Sequence, residues 1–267
     1  MPTRQIDQLT SLLAEIGPVK VAVSGGVDSA TLGLLAGRAL GQDALICHAI
    51  SPAVPAEATE RVKQLAQQEN WQLQLINAGE FDNADYLSNP YDRCFHCKSS
   101  LYSSLADIGP GTIISGANKD DLNDYRPGLK AAEQHRVRHP FVECGLDKTT
   151  IRRIAHYFGF TDLAELPASP CLSSRIETGL PILADQLGFV HKVERRLQQQ
   201  LKPEVVRCRI KPDQVVIQLD PNSLKRLNGD QQIWQKLVME MAIEQNMPQS
   251  IHFEPYRMGS AFVPPAK

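Results

Sequence analysis

Residues 21–35 read VAVSGGVDSATLGLL, an apolar run, then a turn of small residues, then a helix-like stretch. Gly25 and Gly26 let a backbone approach an anion closely, and the amide N–H groups and positive dipole end of the following helix face it. Ser24 and Ser29 add hydroxyl donors. Asp28 would repel a phosphate unless Mg²⁺ stood between them, so the set suits a nucleotide pyrophosphate with its metal. The Gly-Lys-Ser/Thr ending of a Walker loop is absent, and so is the third glycine of a dinucleotide-binding turn. A plainer reading stays open, because two-glycine turns join strands to helices in many proteins.

Thiols form a second set. Cys94 and Cys97 stand in DRCFHCKS at the head of a helical stretch, which puts both on one turn, and Cys171 stands in ASPCLSSR. Three thiolates leave one iron of a cubane cluster open. Zinc with His96 as fourth ligand and a redox Cys-x-x-Cys pair are the alternatives. Cys47 lies in an apolar strand and reads as core, while Cys144 and Cys208 have no partner motif. A polar run, GANKDDLNDYRPGLKAA at 116–132, offers Asn118, Asp120, Asp121 and Asp124 at a strand end, where carboxylates suit Mg²⁺. An acidic N-cap cluster is the plainer alternative. Arg126 and Arg175 are planar donors suited to carboxylate or phosphate, or else members of structural ion pairs. Arg207 and Arg209 alternate on a strand and share a face, in a basic region with Lys192, Arg195, Arg196, Lys202 and Lys211. By itself that face reads as an ordinary solvated surface.

Elements that position these residues follow from periodicity. Helices are expected at 4–16, 29–40, 55–69 and 94–108, and strands at 19–23, 43–50, 71–77 and 111–117. Such alternation predicts a parallel α/β sheet covered on both faces. Gly33 and Gly37 mark a close-packing face of the second helix. The Pro-, Ser- and Gly-rich stretch 165–182 reads as a long functional loop. Beyond it, a helix at 183–200, two antiparallel strands around a turn at Lys211–Asp213, a helix at 230–245 and a strand at 249–254 make a small α+β unit. The expected division is therefore 1–176 and 177–267. The chain has 267 residues and is 42% hydrophobic, and its 28 Lys+Arg against 30 Asp+Glu give a net charge of −2. A nucleic-acid enzyme shows a stronger basic excess. No basic-then-apolar leader or membrane-length apolar run is present, which predicts a cytoplasmic protein whose cysteines are reduced rather than paired.

SGGVDS, following a strand and opening a helix, resembles the PP-loop of the ATP pyrophosphatases, which cleave ATP between the α- and β-phosphates and transfer AMP to a substrate oxygen. Together with GANKDDLNDYRPGLKAA, LPASPCLSSRI (166–176) and EPYRMGS (254–260), it makes the chain resemble the LarE family along essentially its whole length. The resemblance implies a PP-loop, adenine nucleotide alpha hydrolase-like domain. A C-terminal α+β domain for substrate binding or oligomerisation would follow it. It implies an ATP-dependent sulfur transferase of nickel-pincer nucleotide synthesis. Such an enzyme adenylates a carboxylate of a pyridinium dicarboxylate mononucleotide and replaces it with a thiocarboxylate. ATP binding would fall to Ser24, Gly25, Gly26, Val27, Asp28, Ser29, Ser51 and Gly116, and Mg²⁺ to Asp28 and Asp121. Catalytic roles would fall to Cys171, Asp28 and Arg175, and substrate binding to Asp120, Asp124, Arg126, Arg207 and Arg209.

In some members the cysteine matching Cys171 gives up its sulfur and becomes dehydroalanine. In the three-cysteine branch a four-iron four-sulfur cluster, here on Cys94, Cys97 and Cys171, carries an extra sulfide. Sulfide or a cysteine-derived donor would supply the sulfur to a homo-oligomer. The family's paired strand typically carries Arg-Ile-Glu where this chain has Val216, Ile217 and Gln218. The alternatives are a PP-loop tRNA thiolase using a cluster-bound sulfide, and a non-catalytic nucleotide- or cluster-binding protein.

Overall fold

A computed structural model describes residues 2–123 and 125–264. Along the chain it forms α1 (Thr3–Ile16), β1 (Val19–Ala22), α2 (Val27–Leu40), β2 (Ala44–Ala49), α3 (Ala56–Gln68), β3 (Gln72–Ile76), α4 (Ala84–Leu87), α5 (Arg93–Ala106), β4 (Thr112–Ser115), α6 (Pro127–Gln134), α7 (Pro140–Glu143), α8 (Lys148–Tyr157) and α9 (Thr161–Ala164). There follow α10 (Ala184–Leu201), β5 (Val206–Lys211), β6 (Gln214–Leu219), α11 (Pro221–Arg226), α12 (Gln231–Glu244) and β7 (Ile251–Pro255). Two compact units result: residues 1–83 with 94–169, and residues 84–93 with 170–267.

The first unit is an α/β layer structure on a parallel sheet of order β3-β2-β1-β4. Strand residues alternate between its two faces. Val19, Val21, Ile46 and Ile114 join one apolar cluster with Leu9, Leu13, Leu32, Phe141 and Ile151. Ala22, Cys47 and Ile113 join the other with Tyr102, Leu105 and Ala131. Helices therefore cover both faces, as the run of apolar strands required. All four β1 residues are buried, Lys20 among them. Its Nζ donates to the carbonyls of Leu105 and Gly109 at 2.8 Å each, so the cation serves the open carbonyl end of α5. Gly33 and Gly37 face an indole rather than the sheet: a Cβ on Gly37 would come within 2.9 Å of Trp71. Pro55 stands one residue outside α3 as its N-cap.

Chain winding reverses at β1. From β1 the chain passes to β2 and β3 on one side, and β4 then lies on the other. Such a switch opens a crevice at the carboxyl ends of the strands, where ligands of open α/β sheets bind. The turn after β1 and the turn after β4 border it.

In the second unit β5 and β6 are antiparallel and β7 adds to β6 in parallel. Phe189, Val193 and Leu197 of α10 are buried with Cys208, Ile210, Ile217 and Leu219 of the strands. The Pro-rich stretch joins this unit through a short 3₁₀ turn, Leu172–Arg175, and a bridge between Ile176 and Ile210. Asp220 ends β6 and caps α11, accepting N–H bonds from Ser223 and Glu204 at 2.9 Å each.

Candidate active site

In the first unit the turn after β1 leaves backbone donors open at the head of α2. Gly25 has φ +81, and a Cβ there would stand 2.8 Å from the carbonyl oxygen of Ala58, so only glycine fits. Gly26 caps α2 with no side-chain acceptor, which leaves the first amides of the helix to an outside partner. Ser24 N–H donates to Ser29 Oγ at 3.0 Å, the two hydroxyls lie 3.0 Å apart, and Ser29 Oγ donates to Gly26 O at 3.2 Å. This small network fixes both hydroxyls at the mouth of the helix. Val27 is buried as the first helical residue. From the neighbouring strand, Gly116 closes the crevice: a Cβ on it would meet Ser29 N at 2.8 Å and the Asp28 carbonyl carbon at 2.9 Å. Ser51 follows β2 and accepts the Ala53 N–H at 3.3 Å.

Asp28 carries the electrostatics. Lys148, the first residue of α8, donates to its Oδ2 at 2.8 Å, while its Oδ1 is buried without a partner among the described residues. A buried carboxylate oxygen in that state costs free energy and suits a hard divalent cation, which takes oxygen ligands. Asp121 differs, since its Oδ2 accepts the Asn118 N–H at 3.0 Å and its Oδ1 pairs with Arg126 at 2.8 Å. Asp120 accepts the Lys148 N–H at 3.0 Å, so the polar run stitches the loop after β4 to the head of α8. Asn118 is buried and its Oδ1 accepts from Asp120 N–H. Asp124 lies outside the described residues.

Sequence reasoning missed Lys148. Its signal was a cation at the first position of a helix, where the dipole disfavours one. It also missed His139, whose Nδ1 stands 2.9 Å from Ser115 Oγ at the end of β4 and whose pKa burial pushes down.

In the second unit Cys171 is exposed and the residues after it are buried. Arg175 explains that contrast. It is 3% exposed, pairs bidentately with Glu194 at 2.9 and 3.0 Å, and donates to the carbonyls of Pro170 at 2.8 Å and Cys171 at 3.2 Å. Burial works against its charge and Glu194 more than offsets that, so its pKa lies above the ordinary value. Every nitrogen of this guanidinium is engaged within the protein; Arg175 fixes the backbone that presents the thiol. Arg209 also reaches this loop, donating to Ser174 O at 3.0 Å and to Gln218 Oε1 at 2.8 Å. Gln218 is fully buried and donates in turn to Glu254 and Ser260 at 2.7 and 2.9 Å, so EPYRMGS braces the arginine strand.

Arg209 donates to a neutral amide and to backbone carbonyls rather than to a carboxylate, its Nη2 reaching Arg257 O at 3.5 Å. Burial first, then Arg175 and Arg207, push its pKa down to about 10. Arg207 shares the face, donates to Val206 O at 2.7 Å, and has its pKa lowered by burial and then by Arg175. Three guanidinium groups against Glu194 make the region electropositive.

Cys94 and Cys97 are half-buried, one turn apart on α5, and belong to the first unit, whereas Cys171 belongs to the second. As a donor set, two thiols on one helical turn suit a cluster or a soft metal. Among the described residues no group of three or more His, Cys, Asp or Glu side chains is placed to hold a metal ion. The other thiols are held protonated. Burial raises the pKa of Cys47 to about 11, raises that of Cys208 well above its ordinary value, and raises that of Cys144, so none is a ready nucleophile.

No model of a protein family matches the chain. It is 34% identical over 230 residues to an uncharacterized protein of Synechocystis sp., covering 85% of each. It is 31% identical over 216 residues to the pyridinium-3,5-bisthiocarboxylic acid mononucleotide synthase of Lactiplantibacillus plantarum, covering 79% of this chain and 78% of that one. The chain belongs to the LarE family. An uncharacterized protein of Methanocaldococcus jannaschii is 25% identical over 220 residues, covering 81% and 83%. Among the described residues no helix is long and apolar enough to cross a membrane. The LarE-family fold is thus a parallel PP-loop sheet covered by helices, with a small mixed sheet beyond it.

Proposed function

We propose that this LarE-family chain is an ATP-dependent sulfur transferase that converts a carboxylate of a pyridinium dicarboxylate mononucleotide into a thiocarboxylate. The observation that carries the reading is Asp28, a half-buried carboxylate whose buried Oδ1 has no partner among the described residues, at the head of an uncapped helix behind a Gly-Gly turn. The synthase of L. plantarum makes a bisthiocarboxylic acid mononucleotide, as its name states. Exchanging a carboxylate oxygen for sulfur needs that oxygen turned into a leaving group. ATP does so by giving AMP to the carboxylate and releasing pyrophosphate. Sulfur then attacks the acyl carbon, the carbon–oxygen bond to AMP breaks, and AMP departs with the electron pair.

Each residue has a part in this chemistry. The first amides of α2, with Ser24 and Ser29, hold the phosphates, and Gly25, Gly26, Val27, Ser51 and Gly116 leave them room. Asp28 Oδ1 would hold Mg²⁺, which offsets phosphate charge when bound. Asp121 would have to release Arg126 or the Asn118 N–H to join it. Lys148 keeps Asp28 aimed through its bond to Oδ2. Arg207 and Arg209 bind the phosphate of the mononucleotide, while Asp120 and Arg126 contribute from the loop after β4. In this division residues 1–176 bind ATP and residues 177–267 take the mononucleotide. Cys171 is presented as the reactive thiol by Arg175. In the alternative sulfur route, Cys94 and Cys97 on α5 would be thiolate ligands of an iron–sulfur cluster, which would supply sulfide when bound. Pyrophosphate release from ATP and the mononucleotide tests the reading: Asp28→Asn should abolish it with the fold intact, and retained release would remove Asp28 from the site.

A further inference from the structure

Helix α3 holds the phosphate turn from behind, at two carbonyls. His48 Nδ1 stands 2.7 Å from Val23 O, and its Nε2 stands 2.9 Å from Thr59 Oγ1 on α3. Burial lowers the His48 pKa, so a neutral ring donates to the carbonyl and accepts from the hydroxyl. Two residues further along α3, Arg61 Nη1 donates to Gly25 O at 2.8 Å. The turn lies directly on the helix beside these points, because a Cβ on Gly25 would stand 2.8 Å from the carbonyl oxygen of Ala58, the residue before Thr59.

A trans peptide unit is planar, and its C=O and N–H point in opposite directions. The Gly25–Gly26 peptide is trans. With Gly25 O fixed on Arg61, the N–H of Gly26 faces away from α3. Its contact inside the protein, to Ser24 Oγ, is long at 3.5 Å and exposed, so this donor is open to an incoming anion. Burial lowers the pKa of Arg61, and Glu57 works against that. A half-buried guanidinium on a backbone carbonyl is costly to keep unless the orientation it enforces is used.

Resting on the proposed reading of the turn as an ATP site, we propose that Arg61 is a positioning residue for phosphate binding: it locks the Gly25–Gly26 peptide so that the Gly26 N–H is aimed at the nucleotide. Arg61 acts through the peptide and does not touch the nucleotide. Released from Arg61, the Gly25–Gly26 unit is free to rotate about the glycine torsions, which carry no Cβ to stop it.

The test uses the full chain. Wild type, Arg61→Ala and Arg61→Lys are titrated calorimetrically with magnesium ATP, and separately with the pyridinium dicarboxylate mononucleotide. The Gly26 amide is followed in proton–nitrogen correlation spectra as magnesium pyrophosphate is added. Losing a charged hydrogen bond that orients the donor should weaken magnesium ATP binding about tenfold in Arg61→Ala. The Gly26 shift on pyrophosphate addition should disappear, mononucleotide affinity should hold, and Arg61→Lys should recover part of both ATP readouts. Should Arg61→Ala not fold, Arg61→Gln, which keeps part of the aliphatic stem and loses the charge, makes the same comparison. Wild-type ATP affinity with an unaltered Gly26 shift in the variant overturns the role of Arg61 alone. Equal loss of ATP and mononucleotide binding overturns it too, as a general loss of structure. A wild-type chain that binds neither magnesium ATP nor magnesium pyrophosphate overturns the reading of the turn as well.

Discussion

Gly116→Ala is a test worked from geometry. A Cβ on Gly116 would stand 2.8 Å from Ser29 N and 2.9 Å from both Asp28 C and Ser29 Cα. Non-bonded atoms in ordinary contact stand about 3.5 Å apart, so the head of α2 must retreat about 0.7 Å. All three atoms are backbone, and the helix behind them is pinned by buried Ala30, Leu32 and Leu34. Overpacking of this kind costs about 2 kcal/mol, which lowers the Tm of a chain this size by about 6 °C. The same retreat stretches the bonds from the first amides of α2 to a phosphate from about 2.9 Å to about 3.6 Å, beyond hydrogen-bond range. Loss of one charged bond is worth about 1.5 kcal/mol or more, so magnesium ATP should bind at least about tenfold more weakly. Calorimetric titration with magnesium ATP and a thermal melt read both effects. Gly188→Ala is the control: nothing stands within 4 Å of its Cβ and it lies inside α10, so the change should leave ATP binding unaltered and raise stability by about 0.5–1 kcal/mol. A Gly116→Ala chain with wild-type ATP affinity and wild-type Tm would refute the placement of the β4 turn against α2.

Arg207→Ala and Arg209→Ala should each raise the KM for the mononucleotide about tenfold or more with little change in ATP binding, since each removes a charged donor to phosphate; unchanged acceptor binding would reduce the strand to a surface. Asp220 is held below its ordinary 3.8, burial being outweighed by the N–H bonds from Ser223, Val205 and Glu204. A depressed pKa gives stability present above 3.8 and lost as pH falls through the folded value. Urea midpoints should therefore drop below about pH 4 in wild type, and that part of the slope should vanish in Asp220→Asn. Protein prepared without oxygen should contain about four irons per chain, and Cys94→Ser or Cys97→Ser should lose iron and activity together. An iron-free active chain, with Cys171 converted to dehydroalanine after one turnover, would assign the sulfur to Cys171 itself.

The parallel sheet was legible because β1, β2 and β4 are mostly apolar on both faces and the turns after β1 and β4 carry glycine. The glycines bordering the crevice were legible for a related reason: positive φ at Gly25 and close approach at Gly116 leave room for only one residue type. What stayed hidden depends on long-range contact. Lys148 reaches Asp28 across 120 residues, Arg61 reaches Gly25 across 36, and neither spacing repeats a period that sequence exposes. Residues 84–93 pack with the second unit, an excursion set by Asn89, whose amide donates to Glu177 O and whose carbonyl oxygen accepts from Arg93. Arg175 offered two readings in sequence, ligand donor or ion-pair member. Its bond to Glu194 depends on where α10 lies, which local residues do not state.

The most direct measurement is the mass spectrum of the pyridinium dicarboxylate mononucleotide after incubation with the chain, magnesium ATP and a sulfur source, with pyrophosphate and AMP counted beside it. A product in which a carboxylate oxygen is replaced by sulfur, formed with one pyrophosphate and one AMP per exchange and absent with Asp28→Asn, is the predicted result. ATP bound or hydrolysed with the mononucleotide left unchanged would contradict sulfur transfer by this chain.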